Sequence, residues 1–374
     1  MLYFLCFLPD PSLLFLMTFL TYLETLLQKQ LNRETKSYTY IHGGSKMNLQ
    51  AQLFSKFVRT ILACTPNELK KKLLYAFIRK APRLQLDDLQ SSRKKLNKLT
   101  FKNPSIPYKG YITQERAATS IRKTPLRIYI PESGGPFPVI FYMHGGGFAL
   151  GGLQLGDNLC RLLSSLTNSV VINIDYGLSP EYKFPSALQE CSEVIEWALT
   201  NADHLHILRD KIILAGDSAG GNLAAGLALK LPRDMAIYPE WQLLISPVVN
   251  LNQPADEKMN NQEELVLSRS GMEKFHQYYF IRPEDSSTPY ASPLLAYIDQ
   301  LALMPPVVLI TAEDDPLADE AFLFAKKVRQ AGTAVYHKHY EGLFHDFPAL
   351  TGIITEAEDA LIYIAEIMRR YSLK

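Results

Sequence analysis

An α/β fold, with a mostly parallel sheet covered by helices on both faces, is predicted by three observations. From Tyr108 onward, short apolar runs alternate with stretches of helical periodicity. Two glycine-rich turns, His144-Gly145-Gly146-Gly147 and Gly216-Asp217-Ser218-Ala219-Gly220, each follow such a run. The second turn leads directly into a helix-like stretch, Gly221 to Lys230.

The elements can be justified in chain order. Thr65-Pro66-Asn67-Glu68 supplies an N-cap, a proline at the first helical position and a capping-box glutamate, predicting a helix from Pro66 to about Lys80. Leu69, Leu73, Leu74 and Phe77 share one face of it. Lys70, Lys71, Lys72, Arg79 and Lys80 lie on or near the other, and Arg93, Lys94, Lys95 and Lys98 extend the basic bias. A solvated helix face and an attraction to anionic lipid both fit that pattern. Tyr108–Thr113 and Leu126–Ile130 read as an antiparallel hairpin at a sheet edge. Strands follow near 138–143, 169–174, 212–216, 242–246, 306–311 and 334–340. Helical patterns intervene at about 157–167, 186–200, 219–230, 319–331 and 355–370, with Gly332 placed as a C-cap. The interval 254–297 breaks the alternation; it is polar at first and then carries Met272, Phe275, Tyr278, Tyr279 and Phe280. Such aromatics suit a water-excluding lid, although core aromatics at helical spacing give the same pattern.

The formal net charge of +1 over 374 residues gives no footprint for nucleic acid. Cys6, Cys64, Cys160 and Cys191 are widely spaced, so neither a disulfide framework nor a zinc site is expected, and a reducing, cytoplasmic setting fits best. Residues 1–46 form an extension of open status. Its apolar halves, Met1–Leu8 and Leu13–Leu20, are divided by Pro9-Asp10-Pro11, and neither nears the ~20 residues that cross a bilayer. No basic segment precedes the apolar run, which argues against a secretory signal. Membrane-surface association, a poor signal sequence and a true start at Met47 are the alternatives.

The glycine-rich turns carry the chemistry. A serine on a tight strand-to-helix turn is a nucleophile elbow, with Gly216 and Gly220 letting strand and helix approach. An HGGG turn after a strand leaves backbone N–H groups able to face a carbonyl oxygen. Gly145, Gly146 and Gly147, together with Ala219 at the helix start, are therefore expected to form an oxyanion hole.

These two motifs together resemble the hormone-sensitive-lipase-like group of α/β-hydrolases. Asp175-Tyr176-Gly177-Leu178-Ser179-Pro180-Glu181 with Phe184-Pro185, Ala291-Ser292-Pro293-Leu294, Asp315-Pro316-Leu317-Ala318-Asp319-Glu320 and Glu341-Gly342-Leu343-Phe344-His345-Asp346-Phe347 are similar to that family's later blocks, in order. Gly177 and Ala318 stand where the family usually has arginine. The resemblance covers about residues 106–374 and implies a hydrolase domain there, capped by the 254–297 insertion and by N-terminal helices from 47–105.

In this fold the triad runs serine, acid, histidine along the chain. Only His337, His339 and His345 follow both Ser218 and the candidate acids. His337 and His339 share a strand face, as a metal pair would, yet no carboxylate completes a site, and a surface strand is the simpler reading. His345 lies in the loop beyond that strand. Glu313, Asp314, Asp315 and Asp319 all follow the 306–311 strand, and the residues alone leave Asp314 and Asp315 open; the family motif maps the acid onto Asp315. Asp217 reads as support for the elbow and His144 as a hydrogen-bonding loop residue. Phe148, Leu150 and the 272–280 aromatics are expected to line the substrate pocket. The expected activity is hydrolysis of short to medium acyl esters of small molecules, with no metal or organic cofactor. Amide hydrolysis by the same triad and a non-catalytic ligand-binding role on the same scaffold are the alternatives.

Overall fold

Strands buried on both faces can pair only with other strands, and here they form one eight-stranded sheet. A computed structural model of the chain describes residues 67–80, 86–100, 106–259 and 263–372. Its strands are β1 (Tyr111–Ala118), β2 (Lys123–Ile130), β3 (Phe137–Met143), β4 (Val170–Ile174), β5 (Ile207–Asp217), β6 (Trp241–Ile245), β7 (Val307–Asp314) and β8 (Val335–Phe344). Their order is β1-β2-β4-β3-β5-β6-β7-β8, with the β1–β2 and β2–β4 pairs antiparallel and the other pairs parallel. β4 and β6 are buried at every residue, Asn173 and Gln242 included.

The principal helices are α1 (Asn67–Lys80), α2 (Leu89–Thr100), α3 (Asp157–Thr167), α4 (Ser186–Thr200), α5 (Ala219–Asp234), α6 (Arg269–Tyr279), α7 (Ala318–Gln330) and α8 (Thr355–Ser372). α3 packs with α8 and α4 with α5, flanking the sheet. Met143, Val194, Leu223 and Phe324 join one apolar cluster that ties strands to α4, α5 and α7.

β2 starts earlier than expected, and β7 and β8 run on past 311 and 340 to Asp314 and Phe344; three further differences have a plain physical reason. β1 extends through Gln114, Glu115 and Arg116 to Ala118, because an edge strand needs no apolar outer face. β5 begins five residues earlier than expected: Ile207 pairs with Phe137 before a bulge, and polar Arg209, Asp210 and Lys211 hide the strand from a hydrophobicity criterion. α5 runs on to Asp234 despite Pro232, which sits in its last turn, where little of the helical ladder remains to be broken.

The chain divides into two compact units between Phe77 and Ile78, so α2 belongs with the unit that holds the sheet, on the other side of the division from most of α1. The expected boundary at 105/106 thus lies inside the second unit. Several basic residues assigned to a solvated or lipid-facing surface have protein partners: Lys71 meets Glu68 at 2.6 Å, Arg79 forms a fork with Glu263 at 2.8 Å, and Arg93 meets Glu181 at 2.7 Å. No helix among the described residues is long and apolar enough to cross a membrane. The extension at 1–46, its alternative start at Met47, Cys6 and Cys64 lie outside those residues. Cys160 and Cys191 are buried and unpaired.

Departures from the family motif are absorbed locally. Gly177 donates its N–H to buried Glu190 at 2.7 Å, and the guanidinium that reaches Glu190 comes from Arg122. Glu320, at the start of α7, accepts the N–H groups of Val249 (2.7 Å) and Asn250 (3.1 Å) and pairs with Lys258, both side chains being almost wholly buried. Removing one member of a buried pair strands the other charge. Glu320→Gln is therefore expected to lower unfolding stability by about 3–5 kcal/mol, seen as a fall in the urea midpoint; an unchanged midpoint would contradict the assignment.

Candidate active site

Sheet topology fixes where the site lies. From β3 the chain crosses to β4 on one side, and from β5 it crosses to β6 on the other, so β3 and β5 flank the point where strand order reverses. Ligands in open α/β sheets bind outside the carboxyl ends of the strands at such a crevice. The HGGG turn leaves β3 and the elbow leaves β5, with Met143 paired to Gly216.

Ser218 holds φ 52° and ψ −115°, a conformation that non-glycine residues adopt only under constraint. The constraint comes from its own peptide groups: Ser218 N–H donates to Ile245 O (2.9 Å), and its carbonyl accepts from Asn222 (3.1 Å) and Val248 (3.2 Å). Close approach is possible because a Cβ at Gly220 would fall inside the Met143 carbonyl, and one at Gly216 inside the Gly220 peptide. Ala219 is the first residue of α5, so its N–H has no intrahelical acceptor.

Three side chains distant in sequence meet here. His345 Nε2 lies 2.9 Å from Ser218 Oγ, and His345 Nδ1 lies 2.9 Å from Asp315 Oδ2. A carboxylate only accepts, so Nδ1 carries the proton and Nε2 accepts from the serine hydroxyl. The other oxygen of Asp315 accepts Leu317 N–H at 2.9 Å, which fixes the carboxylate plane. Asp314, the competing acid, ends β7 paired with Phe344, and Glu313 accepts Gly342 N–H at 2.7 Å. His337 and His339 sit elsewhere, on β8, both bonded to Thr311 Oγ1 (2.8 and 2.9 Å). Burial, with help from Arg329 and His339, lowers the His337 pKa to about 4. No cluster of metal-binding side chains occurs among the described residues.

The oxyanion loop departs from expectation at one residue. Gly145 N–H donates to Asp217 Oδ2 at 2.8 Å, while Tyr142 donates its hydroxyl to Oδ1. The amide of Gly145 thus ties the loop to the elbow. Sequence reading gave Asp217 a supporting role without finding this partner, because the two residues are 72 positions apart. His144 Nδ1 contacts Gly145 O at 2.7 Å and its ring stacks on Tyr176. Next to His345, Asp346 adopts φ 59°, and burial beside Asp217 pushes its carboxyl well above the usual carboxylate range.

A cavity of about 590 Å³ opens onto Ser218. Phe148, Leu251, Met272 and Tyr279 give it apolar walls, and Lys258 and His276 mark a polar stretch of its lining. Phe148 is buried, with its ring stacked on Tyr279 at 3.7 Å. Tyr279 belongs to α6, whose start is capped by Ser268 accepting Gly271 N–H at 3.1 Å. Its end is gripped by the Lys183 ammonium, which donates to the carbonyls of Gln277, Tyr278 and Phe280 at 2.9–3.0 Å. The 254–297 insertion therefore supplies one wall of the cavity, and the segments that follow the carboxyl ends of β5, β7 and β8 supply the reactive groups.

The arrangement can hold a nucleophilic oxygen, a base and an oriented acid beside the backbone of a glycine-rich turn, which is the equipment for acyl transfer. Comparison with known proteins agrees. Residues 140–349 match the model of an α/β-hydrolase-fold family. The chain is 32% identical over 252 residues to the ethyl acetate hydrolase of Pseudomonas putida, covering 66% of this chain and 78% of that protein. It is 32% identical over 259 residues to an arylesterase of Saccharolobus solfataricus, covering 69% and 84%. The solved esterase of Pyrobaculum calidifontis superposes with a TM-score of 0.74 at 33% identity, covering 81% of this chain and 99% of that one. The chain belongs to the hormone-sensitive-lipase-like family of α/β-hydrolases.

Proposed function

We propose that this protein is a serine carboxylic-ester hydrolase acting on short to medium acyl esters through Ser218, His345 and Asp315. The observation that carries the reading is the unbroken hydrogen-bond relay from Ser218 Oγ through His345 to Asp315 at the mouth of an apolar cavity. Ser218 Oγ attacks the ester carbonyl as its proton passes to His345 Nε2, and Asp315 stabilises the resulting imidazolium. Amides of Gly146, Gly147 and Ala219 receive the oxyanion. The tetrahedral adduct collapses, His345 protonates the departing alkoxide, and water then attacks the acyl-serine with His345 again as base. Deacylation returns the proton to Ser218 and releases the carboxylic acid. None of these steps calls on a metal or organic cofactor.

The cavity volume falls within the range of small-molecule sites, which supports short to medium chains. Rates on a p-nitrophenyl ester series from acetate to palmitate, beside matched anilides, test the proposal. A maximum at short or medium chains with esters well above amides is expected. Negligible hydrolysis at every length would overturn it, and faster amide cleavage would reassign the substrate class.

A further inference from the structure

Arg93 lies on α2, far in sequence from every motif of the site, yet all its hydrogen bonds go to the two loops that frame the oxyanion turn. Nε donates to Ala149 O at 2.8 Å, and Nη2 donates to Ser179 O at 2.8 Å. Nη1 and Nη2 also fork onto the Glu181 carboxylate at 2.7 and 2.8 Å. Ser179 in turn returns its N–H to Phe148 O at 2.8 Å, so arginine and serine brace consecutive carbonyls of the oxyanion loop.

Peptide planarity carries this grip further. In a trans peptide the C=O of one residue and the N–H of the next point in opposite directions. Holding Ala149 C=O toward Arg93 therefore directs Leu150 N–H the other way, and it donates to Gly146 O at 2.9 Å. Ala149 N–H reaches the same oxygen at 3.2 Å. With Gly146 C=O fixed, Gly147 N–H must point oppositely, and Gly147 lines the cavity together with Ser218. Two rigid peptide planes thus connect the guanidinium to one amide of the hole.

We propose that Arg93 is a positioning residue for ester hydrolysis, acting through the Ala149–Leu150 and Gly146–Gly147 peptides to aim the Gly147 N–H at the developing oxyanion. The inference rests on the esterase reading above. Its energetic logic is that an amide misaimed by a small rotation still admits the substrate but fails the transition state. Fork geometry matters: the planar guanidinium directs its donors at two carbonyls and both oxygens of a carboxylate in fixed directions, which the shorter, single-point ammonium of lysine does not reproduce.

The test compares wild type with Arg93→Lys and Arg93→Ala on a p-nitrophenyl ester, with concentrations of folded enzyme set by fluorophosphonate titration. In both variants kcat is expected to fall on the order of 10- to 100-fold with KM changed by less than about threefold, the mark of a lost transition-state contact. Inhibition by a trifluoromethyl ketone, which forms an oxyanion on the serine, should weaken by the same factor. Millimolar guanidinium should restore part of the Arg93→Ala rate and none of the wild-type rate. If Arg93 merely staples α2 to the body, melting temperature falls while kcat per titrated site stays at the wild-type value and guanidinium has no effect; that result overturns the proposal. Should Arg93→Ala fail to fold, Arg93→Lys alone decides, because unchanged kcat and unchanged ketone affinity refute it. A wild type inert toward every ester would overturn the esterase reading and this inference with it, whereas an active wild type with unaffected variants overturns only the inference.

Discussion

Replacing Ser218 by alanine is expected to lower turnover of a p-nitrophenyl ester by about a million-fold, the largest effect any single side chain here can have. The reason is geometric. His345 Nε2 has one acceptor position directed at Ser218 Oγ, and no second hydroxyl is presented to it by the hydrogen bonds of the site. The variant should still bind ester, because the cavity walls and the hole amides do not depend on the hydroxyl, so KM or inhibitor affinity should change little. Reaction with a fluorophosphonate should vanish in parallel. Turnover retained above about one per cent would mean that another nucleophile is at work, since removing a triad serine typically costs far more.

Gly146→Ala is expected to cost about 100- to 1000-fold in kcat, the scale on which a lost oxyanion donor acts. Gly146 sits at φ 113°, where an L side chain is strained, and an added Cβ would fall inside the backbone carbonyl of Leu150. Leu150 is the residue whose N–H fixes the Gly146 carbonyl, so relieving the clash breaks the turn that aims Gly147. The sheet beneath has no part in this strain, and the melting temperature should move by only a few degrees, as for other changes of order 1 kcal/mol. Steady-state kinetics and a thermal melt on the same preparation check both halves. Normal kcat with a lowered melting point would show that the turn serves folding and not the reaction.

How far the site could be read in advance depended on how local each determinant is. The elbow was legible because strand, turn glycines and helix are contiguous in the chain, although the peptide groups of Ser218 are also held by Ile245 and Val248. The parallel sheet was legible for the same reason: β4 and β6 are mostly apolar, with Asn173 and Gln242 as the exceptions, and their burial follows from composition. The ends of β1 and β5 were not, since polar residues at a sheet edge or next to a bulge look like loop. Asp314 and Asp315 could not be separated by residue type alone, because neighbours at the end of a strand point different ways and only the β7–β8 pairing decides which one faces His345. Long-range polar contacts were the hardest to foresee. Gly145 bonded to Asp217, Arg122 reaching Glu190 and Arg93 gripping two loops all join segments dozens of residues apart, and no periodicity announces such pairs.

The reversal of strand order between β3 and β5 has a practical corollary. Reactive groups and cavity walls ride on segments above the rim, whereas the plateau beneath is indifferent to which molecule arrives. Retailoring this protein toward a bulkier or more polar guest is therefore a matter of editing the insertion and its facing loops, with the foundation left as it stands.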